Sequence, residues 1–406
     1  MQTKQDGLSS GLSRRALLAL GTGGLATLAS GLDRAYDSLR HMGARRWDEV
    51  MPVEQLGGKQ ASAAAMSVPR RVSHPVVHDA LARAEWADFS RRFISGDGRV
   101  IDNANGGVSH SEGQGWGMLL AVAFDDMASF DLIADWTKRH LQCRSSDALH
   151  AWRYIPQSPM PVADHNNASD GDLFIAAALW RGAWRWNRND LGGAASEITT
   201  DILSRLVRDV GGRTLLLPGA VGFEHARAVT VNPSYYVLPI IDELAALHPS
   251  PSWQRLRRHG EELLHNGRFG PWHLPPDWLQ VDRDTGVLSP DPDRPARFSY
   301  DAIRVPLWLA WSGNGGEALR DFLTYWNRQQ PQPPAWIDLA TNNRATYPAP
   351  PGMVAIGKIA SELTQKTQNP LRAMQLPALS TSTDYYSAAL TMLARCAWLE
   401  GRAASA

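Results

Sequence analysis

A short run, Ser109-His110-Ser111-Glu112-Gly113-Gln114-Gly115-Trp116-Gly117, sets a carboxylate among small residues, with an aromatic four positions on. The loop ahead of it, Asn103-Ala104-Asn105-Gly106-Gly107, also carries little side-chain bulk. Glycine lets a large ligand approach the backbone closely, so a glutamate here could meet a substrate and pass it a proton. Two other carboxylate clusters stand in turn-like settings. Asp170 and Asp172 flank a glycine in Ala168-Ser169-Asp170-Gly171-Asp172, and Asp301 lies in Ser299-Tyr300-Asp301-Ala302-Ile303-Arg304. Carboxyls in different surroundings can divide general acid and general base work between them.

Each cluster also has a plain structural reading. Ser109-x-x-Glu112 and Ser111-x-x-Gln114 both fit a capping box. One helix needs only one; if Ser111 caps and Gln114 reaches back, Glu112 is left free in the first turn. Ser169 or Asp170 could cap a helix, and Asp172 suits its positive end, yet two aspartates exceed what capping requires. No EF-hand spacing follows, which argues against calcium. Arg304, three residues after Asp301, could form a surface pair with it, hold it ionised, or bind a substrate hydroxyl. Asn232-Pro233-Ser234-Tyr235-Tyr236 offers an Asn cap and a proline at the first helical position, and Ser382-Thr383-Asp384-Tyr385-Tyr386 repeats the idea without proline. Tyr235, Tyr236 and Tyr385, with Trp116 and Trp152, are either core or flat faces for stacking on sugars.

Elements must bring these residues together. Of 406 residues, 44% are hydrophobic, and Lys+Arg and Asp+Glu are equal at 41 each. The balance is that of an ordinary globular core, and zero net charge points away from nucleic acid and other polyanions. Sixteen tryptophans suit a neutral sugar polymer, although core packing would also use them. Cys143 and Cys396 lie far apart, and spacing leaves open whether they pair. No zinc, P-loop or dinucleotide-binding pattern is present.

From about residue 76 the periodicity is helical almost throughout. It predicts helices over 76–93, 112–124, 131–141, 171–186, 197–207, 233–247, 253–264, 302–311, 317–326, 352–363 and 385–399, with little strand. The longest connection spans 272–297. Decorated helix starts recur near Ser111, Asp170, Asn232, Ser299, Gly352 and Asp384. A ring of six inner and six outer helices would gather those starts at one mouth. A solenoid of helix pairs is the competing architecture, but it has no need of carboxylates at successive starts. Ahead of the helices, Lys4, Arg14 and Arg15 precede an uncharged Gly/Ala/Leu-rich run. This predicts a signal peptide over 1–32, with Ser13-Arg14-Arg15-Ala16-Leu17-Leu18 similar to a twin-arginine signal, then a linker or pro-segment over 33–75 and a catalytic domain over 76–402. Such a signal implies a periplasmic or secreted protein.

Gly98-Arg99-Val100-Ile101-Asp102, the 109–117 run, Ala168-Ser169-Asp170-Gly171-Asp172, Asn232-Pro233-Ser234-Tyr235-Tyr236 and Tyr300-Asp301-Ala302-Ile303-Arg304 occur in this order. Together they resemble glycoside hydrolase family 8, and within it the endoglucanases that accompany bacterial cellulose synthases. The likeness runs from about residue 76 to the C-terminus. It implies an all-α (α/α)6 barrel and inverting hydrolysis of β-1,4-glucan. It also implies Glu112 as general acid, Asp301 as general base, and Asp170 as the residue gripping the sugar at the cleavage point. Trp116 and Gly171 depart from the tyrosine and alanine common at those positions. No metal or organic cofactor is implied. The expected partners are a β-glucan substrate and, as a candidate, a cellulose synthase complex around a monomer. Chitosan, mixed-linkage glucan and xylan are alternative polymers. A non-catalytic glucan-binding subunit is an alternative of another kind, disfavoured by the intact acid and base.

Overall fold

The computed structural model describes residues 76–313, 316–365 and 376–403. The predicted signal and linker lie outside the described residues. Eleven α-helices follow in chain order among those described: α1 (Ala80–Phe93), α2 (Ser111–Ala123), α3 (Met127–His140), α4 (Ser169–Trp186), α5 (Asn189–Asp201), α6 (Leu238–Leu247), α7 (Pro251–Asn266), α8 (Arg304–Trp311), α9 (Gly316–Arg328), α10 (Pro351–Gln365) and α11 (Tyr385–Ala403).

Their packing sorts them into two rings. α2, α4, α6, α8, α10 and α11 each touch the next, and α11 returns to α2, closing an inner ring of six. α3, α5, α7 and α9 pack outside α2, α4, α6 and α8, and α1 packs outside α11. The chain position of a sixth outer helix, between α10 and α11, falls outside the described residues. This is the (α/α)6 barrel that the sequence predicts, and its closure excludes the solenoid.

Composition explains which helix goes where. α2 is apolar or small on every side, and Glu112 alone of its residues is not buried. A helix apolar all round belongs inside. α1 buries Ala82, Trp86, Phe89 and Phe93 on one face only, as an outer helix should. The caps differ too. Asp79 accepts from the Ala82 N–H at 2.8 Å to start α1, and Asp126 accepts from the Ser129 N–H at 3.0 Å to start α3. α2 and α4 have no side-chain cap. Loop carbonyls take their first N–H groups instead: Ser111 donates to Trp152 at 3.0 Å and Ser169 to Pro218 at 2.8 Å.

Neither capping box therefore forms. Gln114 is fully buried and turned away from the helix start, accepting from the Val100 N–H at 2.6 Å and donating to Thr137 Oγ1 at 2.8 Å. Glu112 is free of capping because loop backbone does that work, not because a second box relieves it.

The strand content exceeds expectation. Among the described residues, four small antiparallel sheets sit in the connections: β1 (Ser109–His110) with β2 (Arg153–Tyr154), β3 (Val207–Val210) with β4 (Arg213–Leu216), β5 (Ala228–Val231) with β6 (Leu279–Asp282) and β7 (Leu288–Pro290), and β8 (Arg297–Phe298) with β9 (Ile337–Asp338). The expected helix over 197–207 instead starts at Asn189, passes through a π-turn over Ile202–Leu206, and gives way to β3 at Val207. The expected helix over 233–247 divides into a 3₁₀ turn, Pro233–Tyr235, and α6. Cys143 is exposed, Cys396 is buried, and both are free thiols.

Candidate active site

The starts of α2, α4, α8 and α11, with the 3₁₀ turn before α6, open on one cleft enclosing about 1130 Å³ of space continuous with solvent. An open cleft lined by aromatic side chains suits a chain of sugars. Glu112, Asp170, Tyr235, Asp301, Arg304 and Tyr385 all line it.

Arg304 is the centre of the charge arrangement. It is buried, and its Nη1 abuts Glu112 Oε1 and lies 3.5 Å from Asp170 Oδ2. Nη2 meets Asp301 Oδ1 at 2.6 Å and donates to Ser234 Oγ at 2.8 Å. The surface pair considered for Asp301 and Arg304 is thus a buried cluster of three carboxylates on one guanidinium. Glu112 and Asp301 keep 21% and 31% of their side chains open, whereas Asp170 keeps 2%, so the first two can reach a ligand and bulk water. One guanidinium touching both keeps the two carboxyls close together at the mouth of the cleft.

Asp170 accepts from the Gly171 N–H at 2.8 Å at the start of α4. Burial pushes its pKa up to about 7, against this hydrogen bond and with the neighbouring Asp172 charge adding to the rise. Burial, together with the Asp170 and Asp301 charges, holds the proton on the Tyr235 phenol well above the usual range. Tyr385 is placed by its backbone N–H, which donates to Asn103 Oδ1 at 2.8 Å and ties the 103–107 loop to the last helix. Trp152 is held by an Nε1–H bond to Asp164 at 3.0 Å and stacks with His110, ring centroids 6.0 Å apart.

Two expected stacking residues are not in the cleft. Trp116 has no exposed surface; it packs edge-on to Phe174 and against Tyr386, beneath the Arg304 guanidinium at 5.7 Å. Tyr236 is also fully buried, and its hydroxyl accepts from the Leu216 N–H at 3.1 Å. Of the first tyrosine pair only Tyr235 lines the cleft, because successive side chains diverge by the turn of the backbone, whereas Tyr385 and Tyr386 both line it.

The glycines of the 109–117 run have a different purpose from the expected one. A Cβ at Gly113 would lie 2.7 Å from the Tyr385 hydroxyl, and one at Gly115 would lie 2.6 Å from Phe174 Cβ. They admit neighbouring inner helices, not a ligand. The expectation of an unencumbered backbone holds better for Gly106 and Gly107, which have open space around them and φ of +66° and +71°.

Sequence reasoning missed Trp278, Phe223 and Asp277. The rings of Phe223 and Trp278 are parallel to within 1° at 5.9 Å and line the cleft near Tyr235. Asp277 accepts from the Ser299 and Ala302 N–H groups at 3.1 and 2.7 Å, bracketing Asp301. All lie in connections. The β-branched run Val229-Thr230-Val231 was an available sign that these connections contain strand.

Comparison with known proteins agrees with this geometry. The family model for glycosyl hydrolases family 8 matches residues 64–399. The chain is 44% identical to a probable endoglucanase of Novacetimonas hansenii over 317 residues, 78% of this chain and 90% of that one. It is 38% identical to an endoglucanase of Cellulomonas uda over 308 residues, 75% and 82% of the two chains. The solved structure of the endo-beta-1,4-glucanase CMCax from Acetobacter xylinum superposes with a TM-score of 0.74 at 42% identity, covering 79% of this chain and 99% of that one. With an inner-ring cleft that presents Glu112, Asp170 and Asp301 on one arginine, the chain belongs to glycoside hydrolase family 8 and is a glycoside hydrolase.

Proposed function

We propose that this enzyme is an exported endo-β-1,4-glucanase that cleaves cellulose-type chains with inversion, in association with bacterial cellulose synthesis. The observation that carries the reading is the cluster on Arg304, where two partly open carboxyls and one buried carboxyl share a single cation at the mouth of an aromatic cleft.

Glu112 is the general acid in this reading. It sits in the first turn of α2, where the helix end favours the ionised form, and beside Arg304, which does the same. Two opposing effects act. Burial pushes the Asp170 pKa up to about 7, so the three neighbouring carboxyls keep a proton toward neutral pH, shared as a coupled set. A bound sugar also excludes water from Glu112, which raises its proton affinity. Asp170 lines the cleft and grips the sugar; burial pushes its pKa up to about 7, and only where it is ionised does its charge add to the negative field that keeps a proton on Glu112. Asp301 is the general base. Its contact with Arg304 Nη2 at 2.6 Å holds it ionised, and its open face can accept a proton from water attacking the anomeric carbon opposite the leaving group. Trp152, Tyr235 and Tyr385 supply sugar contacts.

The decisive comparison is hydrolysis of carboxymethylcellulose by wild type and Glu112→Gln. The expected loss in kcat is about 10²–10⁴-fold, with cello-oligosaccharide binding retained; wild-type turnover by Glu112→Gln would remove Glu112 from the mechanism. The anomer first released from cellohexaose, read by NMR, tests inversion. Rates on chitosan, mixed-linkage glucan and xylan test the polymer. The basic N-terminal segment supports export to the periplasm or beyond, and fractionation of cells carrying Arg14→Lys/Arg15→Lys tests it. Co-purification with a cellulose synthase complex, and size-exclusion chromatography, test the synthase partner and the monomer.

A further inference from the structure

The second aspartate of Asp170-Gly171-Asp172 has no part in the chemistry above. It is fully buried, yet three donors converge on it. Oδ1 accepts from the His150 backbone N–H at 2.9 Å and lies 3.0 Å from His150 Nδ1. Oδ2 accepts from Asn167 Nδ2 at 2.8 Å. His150 and Asn167 are buried as well. Capping does not explain this, since no N–H of the α4 first turn is among the three.

What the donors carry is informative. Two residues beyond His150 stands Trp152, whose N–H donates to the Asn166 carbonyl at 2.9 Å and whose carbonyl accepts from Ser111, the residue before Glu112, at 3.0 Å. Asn167 Oδ1 accepts from the Ala220 N–H at 2.8 Å, and Asn166 exchanges two bonds with the Val221 peptide at 3.2 and 2.9 Å. Three residues beyond Ala220 lies Phe223, the partner of Trp278. Through His150 and Asn167, Asp172 thus joins the segment that carries Trp152 to the segment that leads to Phe223.

We infer that Asp172 is a positioning residue for substrate binding, acting through His150 and Asn167 to hold Trp152 and the 220–223 loop at the cleft wall. The inference rests on Trp152 being a sugar-contacting residue, as proposed above. An amide cannot replace the carboxylate, because three donors face it and an amide offers only one acceptor atom.

The test is a double-mutant cycle on cellohexaose, with KM and kcat measured for wild type, Asp172→Asn, Trp152→Ala and the double variant. Asp172→Asn is expected to raise KM by about tenfold with kcat within about threefold, and to add a smaller factor, about threefold, in the Trp152→Ala background, where only the 220–223 loop is left to displace. Equal KM penalties in both backgrounds, or a loss confined to kcat, would overturn the inference while leaving Trp152 in the cleft. An unchanged KM for Trp152→Ala would overturn the inference and the sugar-contact reading together. If Asp172→Asn does not fold, His150→Leu, which removes the ring donor and keeps the backbone one, enters the same cycle with the same expectation at a smaller KM rise.

Discussion

Arg304 and Arg181 both lie buried within the inner ring, the first at the start of α8 and the second in the last turns of α4. Arg181 grips Glu243 with two bonds, at 2.9 and 2.5 Å, and reaches Glu400 at 3.0 Å. The remaining oxygen of Glu400 accepts from Trp311 Nε1 at 2.9 Å. These residues come from α4, α6, α8 and α11, so the network ties four inner helices together toward their C-terminal ends. Arg304 holds three carboxylates instead of two, and two of them stay partly open to a cleft. The contrast shows what makes a buried ion cluster a device for chemistry. Saturated, enclosed acceptors fix helices; surplus negative charge with an open face leaves protons and substrate something to act on.

Substitutions at the two ends should separate these behaviours. The largest effect expected is on folding. Arg181→Met leaves Glu243 and Glu400 without their cation and should cost about 3–5 kcal/mol in denaturant unfolding, with kcat of the folded fraction within about threefold of wild type. A large kcat loss at unchanged stability would erase the distinction. Arg304→Lys keeps the charge but not the fork that spans Glu112 and Asp301, so kcat should fall by about 10²-fold while the unfolding midpoint moves little. Next comes the packing that brings the carboxylates together. A Cβ at Gly171 would lie 2.2 Å from Ser111 Oγ and 2.8 Å from Glu112 N. Gly171→Ala should therefore cost about 1–3 kcal/mol and lower kcat by displacing Glu112; wild-type values on both would show that the starts of α2 and α4 can separate freely.

The last effect is a pH slope. Asp170 binds its proton more tightly folded than unfolded, because burial raises its pKa from 3.8 to about 7. Between those values the folded state carries the extra proton, so this group's contribution makes stability fall as pH rises from about 4 to about 7 and level off above. Asp170→Asn should remove that slope in urea unfolding measured across the range, even as it impairs hydrolysis. An unchanged slope would mean that Asp170 titrates near its ordinary range, as a group neutralised by Arg304 would.

Much of this was legible in the residue order. Helical periodicity and the spacing of decorated starts pointed to the closed double ring, since only buried inner helices are apolar all round, as α2 is. The grouping of Glu112, Asp170, Asp301 and Arg304 was legible too, because each sits at a helix start and parallel inner helices gather their starts at one mouth. What failed was finer. Residue type does not separate a cleft tryptophan such as Trp152 from a core tryptophan such as Trp116, and the side on which Trp116 and Tyr236 fall depends on helix rotation in the ring. The two capping boxes fitted the sequence, but loop carbonyls from Trp152 and Pro218 reached the helix starts first.

The sequence by itself determined the helices, their inner or outer place, and the residue types that could carry acid, base and sugar contacts, because these follow from local periodicity and side-chain chemistry. Only the tertiary structure decided that one guanidinium joins three carboxylates, that the glycines of α2 serve helix approach, and that Asp172 joins His150 to Asn167. Those are contacts between segments far apart in the chain, and their geometry is set by how the whole ring packs.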